Sequence, residues 1–395
     1  MHPAWRRSAL RAMSLALVLA AACTTQPAAR RPSPAASARG AAVTPSPLPQ
    51  PCAPAQADAR AGGVASGLPV LQLATGLTQP DDVLADGDQV LVGELGPGRI
   101  ARVGGDGPVG GVDRLPVQIP LVEGMARVGG TLYAADQADD RVVAVRDTQV
   151  TTLIQLQPVR GLEGVDGIAA AGGALIVPDS PRGAVLFVGP DGQVQRRVAG
   201  FARPTGAWSL PDGAVVVADE NAGAVVRLAP DGSRQTLVSG LPLADDVVAG
   251  ADGRIFAISI SQGRVVQVVN GGAVDVASGL RSPQGLGIDQ AGNLLVTEYD
   301  IGRLDAIVTA FALQPAVPAG PVLAPGQPLC VRLVRAPGFQ DGIEIEAGPG
   351  YSVVQQPGTG SEGSILPTGC SGQCRVRVAV RSGDRVQPLW LAYQR

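Results

Sequence analysis

The chain has 395 residues, of which 45% are hydrophobic, 16% charged and 3% aromatic, with 53 Gly and 34 Pro. This composition is typical of a globular protein built from many short strands and turns, and the length allows two or three domains. The formal net charge is −3, and residues 68–312 alone hold 17 arginines and 28 acidic residues, a net charge of −11. Such a field repels phosphate backbones and argues against nucleic acid as a partner.

The first segment, residues 1–22, has the pattern of an export signal. Three arginines precede an apolar run over residues 12–22, which is too short to be a membrane span, and the run ends at Ala20-Ala-Ala-Cys23. The last four residues resemble a bacterial lipobox, which implies a lipid-modified Cys23. A plain secretory cleavage beside an incidental cysteine is the alternative, and the paired arginines match a twin-arginine signal only loosely.

Residues 23–67 consist mainly of Pro, Ala, Ser and Gly and have almost no large apolar side chains. Such a segment cannot bury enough surface to fold. We therefore expect a disordered tether that links a lipid anchor in the membrane to a folded region. This places the protein in the cell envelope, facing outside the cytoplasm.

A repeated unit follows between residues 68 and 308. An apolar run ending in an acidic or small polar residue recurs at spacings of 42, 43, 40, 40 and 39 residues, with ends at Glu94, Asp136, Asp179, Asp219, Ser259 and Glu298. This period is typical of a propeller blade of four short strands, and Asp-Gly and Gly-Gly pairs mark tight turns. The sequence thus predicts an all-β fold, with a six-bladed β-propeller over residues 68–312.

The first strand indicates how the ring closes. Residues 70–77 resemble the strands that end later units, so we expect residues 70–73 to pair with the strand around residues 303–308 and complete the last blade. Such pairing removes open sheet edges.

Acidic residues recur at the start of each predicted innermost strand, which lines the channel of a propeller. The aligned pairs are Asp81-Asp82, Glu123-Gly124, Asp166-Gly167, Thr205-Gly206, Asp245-Asp246 and Gln284-Gly285. A carboxylate cluster of this kind is a candidate site for calcium, another divalent cation or a basic ligand. The alternative is a solvated rim, balanced by Arg160 or Arg203.

A second acidic column has a structural interpretation. An arginine follows five residues after three of the acids that end the apolar runs, in the pairs Glu94 and Arg99, Asp136 and Arg141, and Glu298 and Arg303. A salt bridge across each hairpin explains this spacing.

The text of the repeats resembles a known family. Residues 278–289, followed by Gly-Asn-Leu-Leu-Val-Thr-Glu at 292–298 and Gly-Arg at 302–303, look like an NHL-type repeat. The wider group contains gluconolactonase-like and strictosidine-synthase-like propellers, and residues 76–80 with 91–94 also resemble quinoprotein sugar dehydrogenases. The resemblance implies the fold. A gluconolactonase-like site would need channel asparagines, whereas Asn221 and Asn293 fall at predicted turns.

Composition excludes several catalytic mechanisms. The only histidine is His2, inside the predicted leader, and the chain has no lysine. After removal of the leader, a Ser-His-Asp triad, a histidine base and a lysine Schiff base are all excluded. Carboxylate and metal chemistry remain.

Residues 313–395 predict a small β-sandwich-like domain. A proline-rich spacer at 314–321 precedes strands expected at 329–334, 342–346, 351–355, 374–380 and 387–393. Besides Cys23, four cysteines remain, and in an exported chain they predict two disulfides among Cys52, Cys330, Cys370 and Cys374. We expect Cys330 to pair with Cys370 or Cys374, and Cys52 with the one left over. A four-thiolate zinc site is the alternative.

Together these features favour a non-catalytic, membrane-anchored propeller that binds a protein or small-molecule ligand, for which a cationic character is expected. A metal-dependent, lactonase-like hydrolase that uses the channel carboxylates is the alternative, and a structural role in the envelope is the third hypothesis. A stoichiometric calcium or zinc ion in the channel, with lactone turnover, would favour the enzyme, whereas a metal-free protein with an exposed apolar top face would favour binding.

Overall fold

A computed structural model describes Cys52 and residues 67–105, 111–316, 320–357 and 362–395. The predicted leader, the lipid attachment at Cys23 and nearly all of the tether lie outside the described residues. Within the described ranges there is no α-helix, and no helix with the length and apolarity needed to cross a membrane.

Over residues 70–307, short strands separated by tight turns produce six four-stranded antiparallel sheets. In chain order the strands are β1 (Val70–Thr75), β2 (Pro80–Asp86), β3 (Gln89–Glu94), β4 (Arg99–Gly104), β5 (Val112–Arg114), β6 (Val122–Val128), β7 (Thr131–Asp136), β8 (Arg141–Arg146), β9 (Gln149–Gln155), β10 (Ala169–Ala171), β11 (Ala174–Asp179), β12 (Ala184–Val188), β13 (Val194–Ala199), β14 (Pro204–Ser209), β15 (Val215–Asp219), β16 (Ala224–Leu228), β17 (Arg234–Ser239), β18 (Ala244–Ala249), β19 (Ile255–Ser259), β20 (Arg264–Val269), β21 (Gly272–Ser278), β22 (Pro283–Ile288), β23 (Leu294–Glu298) and β24 (Arg303–Ile307). All six predicted repeat ends are the last residues of second strands.

The first strands of the six sheets are β2, β6, β10, β14, β18 and β22. Each contacts the next one, and β22 contacts β2, so the sheets form a closed ring. The predicted closure is confirmed: β1 pairs with β24, with Val70 opposite Ile307, and the order of that sheet is β1-β24-β23-β22. The fold is a β-propeller.

Short 3₁₀ turns occur at Ser180–Arg182 and Tyr299–Ile301, and each ends in a glycine with a positive φ. At Gly302 φ is 63°, and a Cβ there would lie 2.2 Å from the carbonyl oxygen of Leu77. The glycine is therefore required where the last sheet meets the chain that enters the first.

The core of the propeller lies between neighbouring sheets. Leu91 and Ile100 of the first sheet pack with Met125 and Leu132 of the second. A similar cluster joins strands of the last sheet to those of the first. Because each buried aliphatic side chain contributes about 1.5–3 kcal/mol, the contacts between sheets stabilise the ring as a whole.

Seven more strands form two C-terminal sheets: β25 (Phe311–Pro315), β26 (Leu329–Arg335), β27 (Glu344–Ala347), β28 (Tyr351–Gln355), β29 (Glu362–Pro367), β30 (Gln373–Ser382) and β31 (Arg385–Gln394). Their orders are β25-β26-β29-β28 and β27-β30-β31. Side chains from both sheets share one core that includes Phe311, Ile365 and Val378, as expected for a small sandwich. The prediction missed β25 and β29, and residues 314–315, expected in a spacer, pair with β26.

The predicted disulfide pairing is wrong. Cys52 is bonded to Cys330, and Cys370 to Cys374, with Cα separations of 5.7 and 6.1 Å. Cys330 and Cys374 lie on strands of different sheets, β26 and β30. A tight turn before β30 instead brings Cys370 to Cys374. With all four sulfurs in disulfides, the zinc alternative is also excluded.

The C-terminal sheets contact the propeller through polar groups. Arg377 on β30 forms a bidentate ion pair with Asp88, at the turn between β2 and β3. The Arg375 guanidinium donates to the carbonyl oxygen of Gly105 at 2.7 Å, and the amide of Val386 donates to the carbonyl of Gln290 at 3.3 Å. These bonds hold the C-terminal sheets against the end of the inner strands that is remote from Asp81.

Candidate functional site

Salt bridges explain the three acids that end a second strand and precede an arginine by five residues. In each predicted hairpin the arginine pairs with the buried carboxylate, as in Glu94–Arg99 at 3.3 Å, Asp136–Arg141 at 2.8 Å and Glu298–Arg303. The other carboxylate contacts are structural as well. Glu94 accepts a hydrogen bond from the amide of Thr78 at 2.7 Å, and Glu298 accepts one from the amide of Arg281 at 2.8 Å. The prediction of structural salt bridges is confirmed.

The acids of the innermost strands are brought together. One cavity of about 20 Å³ is lined by all six predicted carboxylates, Asp81, Asp82, Glu123, Asp166, Asp245 and Asp246, together with Gln284 and four glycines. We call these six carboxylates the acidic mouth. Since a cavity needs roughly 10–15 Å³ to hold one water molecule, this cavity has room for one ion or one small head group.

Close packing of the inner strands explains why glycine is the second residue in four of the six aligned pairs. A Cβ on Gly124 would lie 2.2 Å from the amide nitrogen of Ile168 on the next sheet's chain, and one on Gly285 would lie 2.2 Å from the carbonyl oxygen of Asp81. No side chain fits at that separation. Glycine therefore brings neighbouring main chains together and crowds the acids around one axis.

Two of the six acids connect neighbouring sheets. A carboxylate oxygen of Asp82 accepts from the amide of Met125 at 2.5 Å, and one of Asp246 accepts from the amide of Leu286 at 2.8 Å. Each bond joins the inner strand of one sheet to that of the next. These two carboxylates therefore have a structural role in addition to their place in the mouth.

One arginine balances part of this charge. A guanidinium nitrogen of Arg203 lies 2.9 Å from Asp166 and 2.7 Å from Glu163, and the other terminal nitrogen contacts Glu220. The Arg203 side chain is 18% exposed, so its pairs with Asp166 and Glu220 are mostly removed from water, whereas the Glu163 side chain is 68% exposed. Arg160, the other arginine expected to balance the charge, is exposed. One guanidinium against six carboxylates leaves the mouth strongly acidic.

Burial perturbs the titration of these groups. It raises the pKa of Asp81 to about 7, where a hydrogen bond with Glu123 opposes the shift. Burial also raises the pKa of Asp246 to about 7 and that of Asp166 to about 6, the latter against the attraction of Arg203. Burial raises the pKa of the remaining three acids well above the ordinary range: Asp82, Glu123 and Asp245. A cation in the mouth would favour the ionised forms.

An apolar rim lies at the same end of the sheets as the mouth. Four large apolar side chains are exposed there, Leu121 (37%), Leu162 (58%), Leu243 (40%) and Ile301 (47%). Leu121, Leu162 and Leu243 lie in segments that lead into the first strand of a sheet, and Ile301 follows the second strand of the last sheet. Antiparallel pairing places both kinds of segment at one edge, as Val122 opposite Asp136 shows.

The backbone beside the mouth adopts an unusual conformation. Four residues other than glycine have positive φ values between 45° and 52° here: Gln79, Leu121, Leu243 and Ser282. Each lies two residues before the first residue of one of the aligned pairs that start the innermost strands. The carbonyl of each accepts from the amide that follows a second strand, for example Leu243 from Ile260 at 3.0 Å. Left-handed non-glycine residues cost roughly 1–3 kcal/mol each and cluster at functional sites. Sequence reasoning missed them, because leucine carries no signal for a positive φ.

Carboxylate oxygens are the ligands that calcium prefers, so the chemistry of the mouth suits a hard cation. Across the described ranges, however, no group of three or more His, Cys, Asp or Glu side chains is placed to hold a metal ion. The cation site at these residues stays a prediction.

Comparison with solved structures identifies the fold. A gluconolactonase from Xanthomonas campestris has a TM-score of 0.52 at 18% identity, with 66% of this chain and 96% of that chain covered. A putative glucose dehydrogenase from Thermus thermophilus has a TM-score of 0.52 at 16% identity, covering 61% and 99%. The calcium-binding protein regucalcin from Agrobacterium tumefaciens has a TM-score of 0.50 at 16% identity, covering 62% and 93%. The chain shares the β-propeller fold of these three proteins.

At these identities the likeness shows the fold and not the activity. No protein-family model matches the chain, and no curated protein matches it in sequence. The solved structures confirm the resemblance found in the repeats at the level of the β-propeller fold.

Proposed function

We propose that this protein is a binding module of the cell envelope, anchored through Cys23, and that it binds its partner at the mouth face of the propeller. The apolar rim around the acidic mouth carries this proposal. Large exposed apolar side chains that surround a buried charged centre are typical of an interaction site. Leu121 and Leu243 each stand two residues before a mouth carboxylate. Their backbone strain supports a functional reason for keeping them there.

The partner that fits is basic and partly apolar. The cavity of about 20 Å³ takes one group of about the size of water, which matches a primary ammonium better than a planar guanidinium. Aliphatic groups beside the ammonium would bury the rim. A lysine flanked by leucines on a partner protein has this chemistry, and the chain itself supplies no lysine.

A metal-dependent hydrolase is the second candidate. The six carboxylates and the fold shared with a gluconolactonase and a calcium-binding protein favour it. In that case Asp81, Glu123, Asp166 and Asp245 would contribute oxygen ligands to calcium or another divalent ion, which would polarise a lactone carbonyl.

Thermal melting of the mature chain separates the two candidates. The probes are an acetyl-Leu-Lys-Leu amide peptide, the matched Leu-Arg-Leu peptide, calcium chloride and glucono-lactone. A ligand at 100 times its dissociation constant adds about 2.7 kcal/mol to the free energy of unfolding, so it raises the melting temperature measurably. We expect the lysine peptide to do so, and the double substitution Asp81→Asn with Asp245→Asn to abolish the effect.

Two further measurements decide the outcome. The double substitution Leu121→Ser with Leu243→Ser should weaken binding of the lysine peptide and leave any effect of calcium on the melting temperature unchanged. Asp275→Asn, on an outer strand, should alter neither the peptide binding nor the calcium effect. Calcium-dependent melting together with lactone turnover would replace the binding proposal with the hydrolase. If no probe shifts the melting temperature of the wild type, the mouth is only a solvated acidic rim.

A further inference from the structure

A second cavity lies at the opposite end of the inner strands, between the propeller and the C-terminal sheets. Its volume is about 400 Å³, within the range of roughly 300–1,000 Å³ that ligand pockets occupy. On β22 the mouth includes Gln284, whereas Asp289, just beyond the end of the same strand, lines this cleft. The cleft is therefore separate from the proposed binding face.

The cleft runs along the edge of strand β31. Six consecutive residues of this strand, 387–392, line it. Because successive side chains of a strand point to opposite faces of the sheet, a cavity on one face would be lined by alternate residues only. Strand β31 ends the sheet β27-β30-β31, and no described strand pairs with its other side. The cleft therefore faces the main-chain groups of an open sheet edge.

Hydrogen bonds at the two ends of β31 show which way its main-chain groups point. The amide of Val386 donates to the carbonyl oxygen of Gln290 at 3.3 Å, and the amide of Gln394 donates to that of Pro321 at 2.9 Å. Neither acceptor belongs to β30, so both amides point away from that strand. The pairing of β31 with β30 has no register shift, and main-chain groups alternate in direction along a strand. The even-numbered residues between these two ends therefore also direct their main-chain groups to the open edge: Pro388, Trp390 and Ala392.

Five main-chain groups at this edge are available to a ligand. They are the amides of Trp390 and Ala392 and the carbonyl oxygens of Pro388, Trp390 and Ala392, and none of the five has a hydrogen-bond partner within the described ranges. All three residues are partly exposed. Unpaired main-chain groups at every second residue of a strand are a template for an added strand. Proline lacks the amide, so position 388 can only accept.

The walls of the cleft favour an uncharged ligand with aliphatic groups. Two carboxylates line it, and both are engaged: Asp88 pairs with Arg377 at 2.7 Å, and Asp289 accepts from Asn293 at 3.0 Å. The described part of the lining includes no arginine, so a charged ligand would find no free counter-charge. Prominent apolar lining residues are Leu71, Leu73, Val90, Leu313 and Leu389. A neutral, partly aliphatic segment is the complement of these walls.

Two glutamines add hydrogen-bond donors to the walls. The side-chain oxygen of Gln387 accepts from the amide of Leu313 at 2.6 Å, and that of Gln314 accepts from Arg332 at 3.2 Å. Each oxygen is thereby directed to a donor of the protein, which leaves the Nε2 hydrogens for another acceptor. Carbonyl oxygens on the far side of an added strand are acceptors of this kind.

We propose that the cleft binds an extended, uncharged peptide segment of a partner protein, which adds to β31 as a fourth strand of its sheet. Hydrogen bonds with Trp390 and Ala392 hold the main chain of the peptide, and its alternate aliphatic side chains pack against the walls. This mode depends on an extended main chain more than on one sequence, so a neutral β-branched peptide is a suitable probe. Binding here does not depend on the acidic mouth.

Fluorescence anisotropy on the full mature chain tests this mode of binding. The probe is the peptide Val-Thr-Val-Thr-Val, amidated and labelled with a neutral fluorophore, and we expect saturable binding at one peptide per chain. Successive residues of an added strand direct their amides to opposite edges, so one derivative is N-methylated at both threonines and another at the second and third valines. Only one of the two sets faces β31. That derivative should bind roughly 10-fold more weakly or worse, through loss of two hydrogen bonds, and the other should match the parent.

Substitutions at one position place the peptide on β31. Ala392→Pro removes a donor from the open edge and leaves the pairing with β30 intact, as Pro388 does on the same edge, so it should weaken the parent peptide roughly 2- to 10-fold. Ala392→Gly keeps the amide and is the matched control, and melting temperatures show whether both variants fold. Asp81→Asn with Asp245→Asn at the mouth should leave binding unchanged.

Photo-crosslinking to the wild type locates the peptide without any substitution. A benzophenone at one end of the peptide should label residues that line the cleft, as mass spectrometry of the digested chain will show, and this result decides if Ala392→Pro fails to fold. Absence of saturable binding, equal binding of the two N-methylated peptides, or labels outside the cleft would overturn the proposal. Equal affinities of Ala392→Pro and Ala392→Gly, or loss of binding in the mouth variant, would do so as well.

Discussion

The acidic mouth should make the protein less stable as pH rises from 5 to 8. Asp81 has its pKa raised from 3.8 to about 7 by burial. Between those values the folded state binds more protons than the unfolded state, so the free energy of unfolding falls with increasing pH. A shift of about three units corresponds to about 4 kcal/mol, of which about 3 kcal/mol is lost between pH 5 and pH 8. Asp246 and Asp166 contribute with the same sign.

The assay is urea unfolding followed by circular dichroism at several pH values. Asp81→Asn keeps the shape of the side chain and removes its titration, so this variant should lose about 3 kcal/mol less than the wild type between pH 5 and pH 8. Asp275→Asn, in a surface pair with Arg264, is the matched control and should follow the wild type. A wild-type stability that is constant or rises over this range, or an Asp81→Asn curve parallel to it, would refute the reasoning.

Four other changes have defined outcomes. Leu243→Gly should relieve a left-handed strain of roughly 1 kcal/mol and raise the melting temperature, while weakening binding of the lysine peptide; a lower melting temperature would contradict the strain argument. Cys330→Ser opens a loop of 278 residues and should lower the free energy of unfolding by about 5 kcal/mol, against about 2 kcal/mol for Cys370→Ser, as denaturant titration will show; equal losses would count against loop closure as the cause. Deletion of residues 68–76 should expose the edge of β24 and cause aggregation in size-exclusion chromatography, so a soluble, cooperatively melting deletion would speak against strand closure. Cys23→Ser should release the protein from the membrane fraction, and unchanged fractionation would exclude the lipid anchor.

The propeller was predictable because its signals are local and repeated. Turn dipeptides and apolar runs at a constant period give the ends of the second strands, such as Glu94, and the similarity of the first strand to later ones gives its pairing with β24. The alignment of the repeats also predicted correctly that the six acids lie together, since all six line one cavity.

Features without a repeated local signal were missed. Strand β29 lies in a Gly- and Ser-rich part of the sequence. The disulfide partner of Cys330 depends on how the two C-terminal sheets pack against each other. The positive φ of Leu121 and Leu243 accompanies hydrogen bonds from the amides that follow the second strands of their sheets. The cleft at Trp390 depends on how β31 lies against the propeller. Each of these features depends on tertiary contacts, and the spacing of residues in a single sequence does not reveal those contacts.

The Cys52–Cys330 disulfide determines where a mechanical load enters the molecule. A pull on the N-terminal end of the chain reaches Cys52 before it reaches β1. The covalent bond therefore transfers the tension to β26, within a sheet whose strands are held by the C-terminal core. The hydrogen bonds between β1 and β24, which would otherwise open one pair at a time from Val70 onward, carry no load while the disulfide is intact. A thiol reductant would redirect the force to the hydrogen bonds between β1 and β24, and the propeller would then open from its first strand.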